Sequence, residues 1–379
     1  MNYIQSPVKV VYNAFNGRYA DNPRAIYESL LARDLDVEHV WLADPDQLAG
    51  FPGDVKTVQI ASPDAVAALE SADLHVSNCH TNLDSWRKLP GARYLQTWHG
   101  TPLKRIHRSA VFQPGDDIMA DLDTDIARWD YLITPSRAGT QLLRSAFGYS
   151  GPVLETGYPR NDALQAPDAG QRRARLRREL GISDDTTVVL YAPTYRDDDV
   201  AVPDAPLGLD LPALTEQLGG HFVVLLRLHY YLKHRPSWPA AGQVRDLSTY
   251  PDVTDLYLAA DVLVTDYSSA LFDFAVTGKP IVLYAYDLEH YRDRLRGFTF
   301  DLQAEAPGPV LTDQASLTAA LLDLPGTERA YADRYAAFRE RYCHLEDGHA
   351  TDRVIEHLWP SAVSDAGPRV RGGTAATDA

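Results

Sequence analysis

Short apolar runs alternate with segments of helical spacing along most of the chain. Val8–Phe15 is predicted to form a buried strand, and Arg24–Leu35 follows with the periodicity of a helix whose first turn carries Pro23. The alternation pauses at a polar, arginine-dense stretch, Ala166–Leu180, and restarts at Thr187–Ala192. Strands that alternate with helices form parallel sheets with helices on both faces. We therefore predict an α/β protein with two Rossmann-like, doubly wound domains that face each other across a cleft.

The same reasoning places the other elements and the domain boundaries. Further strands are predicted at Val37–Leu42, Val55–Ile60, Leu74–Asn78, Arg93–Trp98, Tyr131–Thr134, His221–Leu228, Val262–Thr265 and Ile281–Tyr284. Further helices are predicted at Ser62–Glu70, at Arg137–Phe147, before Asp130, at Leu256–Ala260 and from about Glu328 to Leu358, where a turn at Glu346–Ala350 precedes a helix start near Thr351. We expect a first domain at 1–165, an interdomain helix at 166–182, a second domain at 183–340, a C-terminal helix at 341–360 and a disordered tail at 361–379.

Composition and charge exclude several classes of protein. The chain has 379 residues, 45% of them apolar, which is enough to fill two hydrophobic cores. Its formal net charge of −16 argues against nonspecific binding to nucleic acids, which requires clustered cations. The two cysteines, Cys79 and Cys343, form no zinc-binding pattern and favour a reducing compartment. The sequence has no signal-peptide pattern at 1–10 and no apolar run of ~20 residues, so we expect a cytoplasmic protein that is soluble or peripheral to a membrane.

Polar motifs follow several predicted strands, at the sheet edge where doubly wound domains bind their ligands. In the segment Tyr94–Ile106 (YLQTWHGTPLKRI), a strand breaks at His99 and Gly100. Histidine can accept a proton near neutral pH, and glycine permits a sharp turn. Lys104 and the following Arg105, His107 and Arg108 add a basic patch. The alternative is a structural histidine that is satisfied by a backbone carbonyl.

A second motif, TDYSSALFDF, follows the predicted strand Val262–Thr265. Asp266 and the pair Ser268–Ser269 stand where a helix begins, so their hydroxyl and N–H groups could bind a phosphate. Ordinary helix capping by serine explains the same pattern. Asp273 follows one turn later, and we expect it to face away from the phosphate or to meet a donor hydroxyl.

Three weaker motifs complete the candidate set. APTYR ends the first strand of the second half and offers Thr194 and Arg196 as phosphate ligands. LRLH places Arg227 and His229 on one face of a strand, although a surface edge is an equal alternative. The acidic run at 197–199 could bind a metal ion, but we favour a solvated loop. The turn EDGHA is a weak candidate for an anion site near a helix start.

Common nucleotide-binding and hydrolase signatures are absent from the sequence. It has no GxGxxG after the first strand, no GxxxxGK[ST] loop and no serine nucleophile elbow. A dinucleotide oxidoreductase, a P-loop NTPase and a serine hydrolase of the usual types are therefore not indicated.

The ordered set of motifs resembles the CDP-glycerol glycerophosphotransferase family of teichoic acid and capsule-polymer enzymes. The similarity is carried by WHGTPLK at Trp98–Lys104, APTYR at Ala192–Arg196, DYSS at Asp266–Ser269 with the following FD, DGHA at Asp347–Ala350 and the opening NGRYADNPRAIYE at Asn16–Glu28. Two positions depart from the family pattern, because Tyr230 stands where a proline is expected and His349 replaces a more usual lysine.

The resemblance implies a GT-B fold and transfer of glycerol phosphate, or a related polyol phosphate, from a CDP-activated donor with release of CMP. It implies an acceptor-binding first domain and a donor-binding second domain, a lipid-linked polyol-phosphate acceptor, contact with a membrane surface, and no cofactor, with the metal requirement open. The implied catalytic residues are His99 and His229. The implied phosphate-binding residues are Thr194, Arg196, Arg227, Asp266, Ser268, Ser269 and Asp273, and the implied acceptor or secondary residues are Gly100, Thr101, Lys104, Asp347 and His349.

Two other functions stay open at this stage. A GT-B glycosyltransferase or a UDP-sugar epimerase would use the same fold on a different donor. A nucleotide-binding scaffold without catalysis would keep the fold, although the two histidines argue against it.

Overall fold

Two parallel sheets, each covered by helices, form two lobes. The computed structural model describes residues 7–33, 35–81, 83, 86–110, 116–196, 208–228 and 242–359. The predicted tail at 361–379, the acidic run at 197–199 and His229 lie outside these residues. The architecture confirms the predicted α/β class with two Rossmann-like halves.

The first lobe contains seven parallel strands among the described residues. They are β1 (Val8–Asn13), β2 (Val37–Ala43), β3 (Thr57–Gln59), β4 (Leu74–Ser77), β5 (Arg93–Gln96), β6 (Tyr131–Thr134) and β7 (Val153–Glu155). Their order in the sheet is β3-β2-β1-β4-β5-β6-β7. The order in which strands are added to the sheet thus reverses between β1 and β4. A doubly wound sheet binds its ligands beside such a reversal of strand order.

The second lobe repeats this arrangement with six parallel strands in the described part. They are β8 (Thr187–Ala192), β9 (Phe222–Leu226), β10 (Val244–Asp246), β11 (Val262–Thr265), β12 (Ile281–Tyr284) and β13 (Val310–Leu311). Their order is β10-β9-β8-β11-β12-β13, which reverses direction between β8 and β11. The motifs APTYR, LRLH and TDYSSALFDF lie at the ends of β8, β9 and β11, and β8 and β11 flank the reversal.

Helices cover both faces of each sheet. They are α1 (Asp21–Ala32), α2 (Pro63–Glu70), α3 (Asp116–Ile126), α4 (Arg137–Phe147), α5 (Asp162–Gln165), α6 (Ala169–Glu179), α7 (Leu211–Leu218), α8 (Val253–Ala259), α9 (Ala270–Ala275), α10 (Leu288–His290), α11 (Leu302–Glu305), α12 (Gln314–Leu322), α13 (Leu324–Tyr342) and α14 (Ala350–Leu358). Short 3₁₀ turns lie at Pro45–Gly50, His107–Ser109 and Pro159–Asn161, and a π turn at Tyr291–Leu295. Within the described ranges, none of the helices has the length and apolar character that crossing a bilayer requires.

The strands at the centre of each sheet are buried on both faces. Val10 and Tyr12 pack into one core of the first lobe, and Val11 between them packs into the core on the opposite face. Successive side chains of a strand point to opposite faces, so a strand covered on both sides needs an unbroken apolar run. This explains why VKVVYN and VLVT could be recognised as strands from the sequence.

Two strands end earlier than predicted because the backbone turns into the left-handed region. The predicted strand Val8–Phe15 stops at Asn13, since Phe15 and Asn16 have φ values of 47° and 56°. The predicted strand Arg93–Trp98 stops at Gln96, since Trp98 has a φ of 51°. Both early ends lie at the carboxyl edge of the first sheet, beside the cleft.

The last helix of the described chain returns to the first lobe. The final helical pattern divides into α13, on the second lobe, and α14, whose first N–H groups are capped by Asp162 through Ala350 (2.9 Å) and Thr351 (2.7 Å). Val354 and Ile355 pack into the core that contains β1 of the first lobe. The helix start expected near Thr351 lies at Ala350.

The arginine-dense helix α6 packs against the second lobe through two of its arginines. Arg173 donates to the carbonyl oxygens of Leu258, Ala259 and Ala260 at 2.8 to 3.1 Å, and Arg177 forms an ion pair with Asp261. These arginines satisfy the carbonyls at the end of α8, which a helix terminus leaves unpaired. The solvated face that the sequence favoured for this cluster is therefore limited to Arg175 and Arg178, which are exposed.

Candidate active site

A cavity of about 1250 Å³ lies between the carboxyl edges of the two sheets. Both lobes contribute to its lining, which includes Phe15, Tyr19 and Arg160 from the first lobe and Ser248 and Tyr250 from the second. Five residues that the sequence analysis selected also line it: His99, Arg227, Ser268, Ser269 and Asp273. Its size exceeds that of an ordinary small-molecule pocket, so a nucleotide and part of a second substrate can be accommodated together.

His99 lies in a turn after β5 and lines the cavity. Its Nδ1–H donates to the carbonyl oxygen of Asn78 at 2.6 Å. A carbonyl can only accept, so Nδ1 carries the hydrogen and Nε2 is the proton acceptor of the neutral ring. The ring stacks on Trp98 with centroids 4.1 Å apart. Burial lowers the pKa of His99 to about 4, which keeps the ring neutral near pH 7.

The turn of the first lobe touches the helix start of the second lobe. Gly100 has a φ of 148°, and a Cβ placed on it would lie 2.8 Å from both Cβ and Oγ of Ser269. Only a glycine allows the two lobes to approach this closely here. His99 and the Ser268–Ser269 pair therefore lie beside each other in one cavity.

The two serines precede a helix of only six residues, α9. The Oγ of Ser268 accepts the N–H of Ala270 at 3.2 Å, whereas the side chain of Ser269 makes no capping bond. Because α9 is so short, its dipole is a weak source of anion affinity. The polar groups that this segment offers to a ligand are its two hydroxyls.

Arg227 is held at the second-lobe side of the cavity. Its Nη1 donates to the carbonyl oxygens of Leu247 (2.9 Å) and Tyr250 (2.5 Å). These bonds fix the guanidinium at the cavity lining, where its charge can act on a bound anion.

Thr194, Arg196 and Asp266 were predicted to bind phosphate, but the structure buries them behind the cavity wall. Arg196 forms ion pairs with Asp266 (2.9 Å) and Asp287 (2.7 Å), and its guanidinium lies 5.0 Å from the ring centroid of Tyr267. The backbone N–H of Thr194 donates to Asp266 Oδ1 at 2.8 Å. Two carboxylates pair with this arginine, and the group joins the ends of β8 and β11.

The predicted acceptor residues are dispersed. Asp347 accepts hydrogen bonds from Arg353 at 2.8 and 2.9 Å, and the side chain of His349 is 69% exposed. Neither Asp347 nor His349 lines the cavity. Lys104 bridges to Phe298 on the second lobe, and Thr101 is fully buried. The exposed turn before α14 satisfies its own polar groups through Arg353, whereas Gly100 lies against Ser269, which lines the cavity.

A buried ion-pair network beside His99 was missed by the sequence analysis. Arg160 donates to both oxygens of Asp273 at 2.9 Å and to Asp21 at 3.2 Å. Asn161 donates to Asp273 (3.0 Å) and to Glu346 (3.1 Å). Burial, followed by the nearby charge of Asp273, raises the pKa of Glu346 to about 8. The network joins the lobes and gives Asp273 a partner that was not expected.

A weak sequence signal could have indicated this network. The segment PRND at Pro159–Asp162 carries three polar residues shortly after the strand β7, and Asp21 is the first residue of α1. Nothing local indicates that Arg160 is buried, because its partners lie 139 and 113 positions away in the chain.

Metal ligands are not concentrated at this site. Across the part of the chain that the structure describes, no group of three or more His, Cys, Asp or Glu side chains is arranged to hold a metal ion. The acidic run at 197–199 lies outside that part.

Residues 2–360 match the family described as CDP-Glycerol:Poly(glycerophosphate) glycerophosphotransferase. The chain is 37% identical over 363 residues to the teichoic acid glycerol-phosphate transferase of Staphylococcus aureus (strain NCTC 8325 / PS 47), covering 92% of each chain. It is 34% identical over 368 residues to the teichoic acid poly(glycerol phosphate) polymerase of Bacillus subtilis (strain 168), covering 93% of this chain and 49% of that protein. The chain thus spans about half the length of that polymerase.

Comparison with solved structures agrees with these sequence matches. A histidine-to-asparagine variant of the wall teichoic acid polymerase TagF, soaked with CDPG, superimposes with a TM-score of 0.84 at 32% identity, over 96% of this chain and 91% of that one. A UDP-GlcNAc 2-epimerase from Neisseria meningitidis superimposes with a TM-score of 0.56 at 13% identity, over 93% and 99%, which concerns the fold alone. The predicted GT-B-like fold is confirmed.

Proposed function

The chain belongs to the CDP-glycerol:poly(glycerophosphate) glycerophosphotransferase family, and from this we propose that it transfers glycerol phosphate, or a related polyol phosphate, from a CDP-activated donor to a hydroxyl of a polyol-phosphate polymer. One observation supports the proposal most directly: His99 and the Ser268–Ser269 pair line the same cavity from different lobes. Phosphoryl transfer depends mainly on positioning and on electrostatic stabilisation, and this cavity offers groups for both.

In the proposed reaction the acceptor oxygen forms a bond to the β-phosphorus of the donor. The bond from that phosphorus to the bridging oxygen breaks, and CMP leaves with the electron pair. Nε2 of His99 takes the proton of the attacking hydroxyl, because Nδ1 already donates to Asn78. The family resemblance gives His229 a role in stabilising the CMP that leaves.

The donor is proposed to bind on the second lobe. The hydroxyls of Ser268 and Ser269 and the guanidinium of Arg227 line that side of the cavity and suit the oxygens of a pyrophosphate. Arg196 and Asp266 support this wall from behind through their ion pair. The acceptor then approaches along the first lobe, past Phe15, whose ring centroid lies 5.4 Å from that of His99.

We also propose that the acceptor is lipid-linked and that the enzyme works in the cytoplasm at the inner face of the membrane. Arg105 and Arg108 are exposed and could meet anionic head groups, although Arg108 also pairs with Asp123. Co-sedimentation with vesicles of anionic phospholipid at low and high salt tests this contact. Binding that salt does not weaken, or no binding, would contradict it.

A CMP-release assay tests the reaction. We expect turnover with CDP-glycerol or CDP-ribitol and a short polyol-phosphate acceptor, and none with UDP-sugars. His99→Ala should lose at least ~10²-fold in kcat, the usual contribution of a general base, while its Kd for the donor stays unchanged. His344→Ala is the matched control, since this histidine is exposed and its Nδ1 meets only Glu340 O of its own helix end.

Three outcomes would contradict the proposal. Near-normal turnover of His99→Ala would remove the assigned base. Release of UDP from a UDP-sugar would support a glycosyltransferase or epimerase instead. Binding of CDP-glycerol without turnover by the wild-type protein would support a scaffold.

A further inference from the structure

The peptide groups on both sides of Trp98 are held by three buried polar side chains. Its N–H donates to Gln96 Oε1 at 2.8 Å. Its carbonyl oxygen accepts from Asn22 Nδ2 at 3.0 Å and from Thr97 Oγ1 at 3.1 Å. Gln96, Thr97 and Asn22 are each fully buried. These bonds therefore act in a dry environment, where hydrogen bonds are strong and unpaired groups are costly.

Trp98 needs such support because its backbone conformation is unfavourable. Its φ of 51° lies in the left-handed region, which bulky side chains rarely adopt. Such a conformation persists only where the surroundings determine it, and it is common at functional sites. The structure supplies three side-chain hydrogen bonds to the two peptide groups of this one residue.

The conformation of Trp98 decides where His99 points. His99 is the next residue in the chain, and its Nδ1 reaches the Asn78 carbonyl oxygen at 2.6 Å. Gly100 follows with a φ of 148° and lies against Ser269. If the carbonyl of Trp98 rotated away from Asn22 and Thr97, the peptide of His99 would rotate with it, and Nε2 would leave its place in the cavity.

Asn22 also connects this turn to the ion pair between the lobes. Its Oδ1 accepts the backbone N–H of Arg160 at 3.1 Å. The guanidinium of Arg160 donates to both oxygens of Asp273 on the second lobe. One buried amide thus ties the backbone that carries His99 to the residue that joins the two lobes.

We propose that Thr97 and Asn22 are positioning residues for His99, acting through the carbonyl of Trp98. This inference rests on the proposed function, since it assigns these residues to the reaction in which His99 is the base. Neither side chain lines the cavity, so neither contacts the substrates. Their effect should fall on the rate of transfer and not on donor binding.

Thr97→Val tests the proposal with little change in volume. The variant removes a hydroxyl whose single proton is shared between the carbonyl oxygens of Trp98 (3.1 Å) and Ser77 (3.2 Å). Thr134→Val is the matched control, because Thr134 is equally buried and ends the neighbouring strand β6, with its hydroxyl 2.7 Å from Thr140 Oγ1. We expect kcat for CMP release to fall by at least ~10-fold in Thr97→Val, which corresponds to about 1.4 kcal/mol of activation free energy. In Thr134→Val we expect kcat to change by less than ~2-fold.

Four further measurements separate positioning from loss of stability. The Kd for CDP-glycerol should stay within ~2-fold in both variants, and Thr97→Ser, which keeps the hydroxyl, should recover most of the rate. In a His99→Ala background, Thr97→Val should cause no additional loss, because a misplaced base and a missing base are equivalent. Asn22→Asp keeps the acceptor for Arg160 N–H but loses the donor to Trp98, and it should lower kcat in the same way.

The outcomes distinguish this inference from the proposed function. Absence of CMP release by the wild-type protein would refute the proposed function. With an active wild type, equal kcat for Thr97→Val and Thr134→Val, or an equal loss from Thr97→Val with and without His99, would overturn the positioning role alone. If Thr97→Val does not fold, Asn22→Asp gives the same decision through the same comparisons.

Discussion

Replacing Gly100 with alanine should separate the catalytic turn from the serine pair. The added Cβ would lie 2.8 Å from both Cβ and Oγ of Ser269, and the backbone φ of 148° is one that L side chains rarely adopt. Neither problem can be relieved by rotating the new methyl group. The turn must move away from the second lobe, or its backbone must change conformation.

The size of the effect follows from these distances. Restoring an ordinary contact of at least 3.4 Å from 2.8 Å requires a shift of about 0.6 Å, the difference between the two. The unfavourable backbone adds a strain of ~1–3 kcal/mol, which favours a changed turn. Misplacement of reacting groups by ~1 Å can cost ~10²-fold in rate. We therefore expect kcat of Gly100→Ala to fall between ~10-fold and ~100-fold.

The assay is CMP release at saturating CDP-glycerol, with donor affinity measured by calorimetry and folding checked by thermal denaturation. Gly53→Ala is the control, because a Cβ at Gly53 meets no atom within 4 Å. We expect the control to keep wild-type turnover and both variants to stay folded. A folded Gly100→Ala enzyme with near-normal kcat would show that close approach of the turn to Ser269 is not needed, and the assigned geometry of the site would be wrong.

Two further predictions concern the buried network. Arg160→Met should lower the free energy of unfolding in urea by about 3–5 kcal/mol, because Asp21 and Asp273 lose their shared cation in a buried site. The control is Arg175→Met, at an exposed arginine, for which we expect a loss of less than ~1 kcal/mol. A loss as small as this in Arg160→Met would contradict the prediction. Glu346 has a folded pKa of about 8 against 4.5 when unfolded, so its protonated form stabilises the fold below pH 4.5 and this contribution is lost as pH rises through 8. The Tm of the wild type relative to Glu346→Gln should therefore fall between pH 5.5 and 8.5, and a constant difference would refute the shift.

Much of the fold could be predicted because the information is local. The strands Thr187–Ala192, Val262–Thr265, Ile281–Tyr284 and Tyr131–Thr134 have the predicted bounds. A strand that is buried on both faces needs an apolar run, and that run is visible in the sequence. The short strands β7 (Val153–Glu155), β10 (Val244–Asp246) and β13 (Val310–Leu311) were not predicted, because so few residues carry no period.

The candidate site was predicted in part, for a related reason. Ser268 and Ser269 follow β11, which flanks the reversal of the second sheet, and His99 follows β5, one strand away from the reversal of the first sheet. Both positions lie at the carboxyl ends of parallel strands, and the topology brings such positions to one cleft. Arg196 has the chemistry of a phosphate ligand, yet the structure commits it to Asp266 and Asp287. Residue type and position do not reveal these partners, because Asp266 and Asp287 lie 70 and 91 positions away in the chain.

The sequence by itself determined the class of fold, the order of the strands along the chain and the family, since these depend on short-range apolar patterns and on contiguous motifs. Only the tertiary structure decided which polar residues meet. Arg160 meets Asp21 and Asp273 from positions 139 and 113 residues away, and Asn22 reaches the carbonyl of Trp98 from 76 residues away. Such pairs leave no local period or composition, because they form when folded elements pack together and bury their charges.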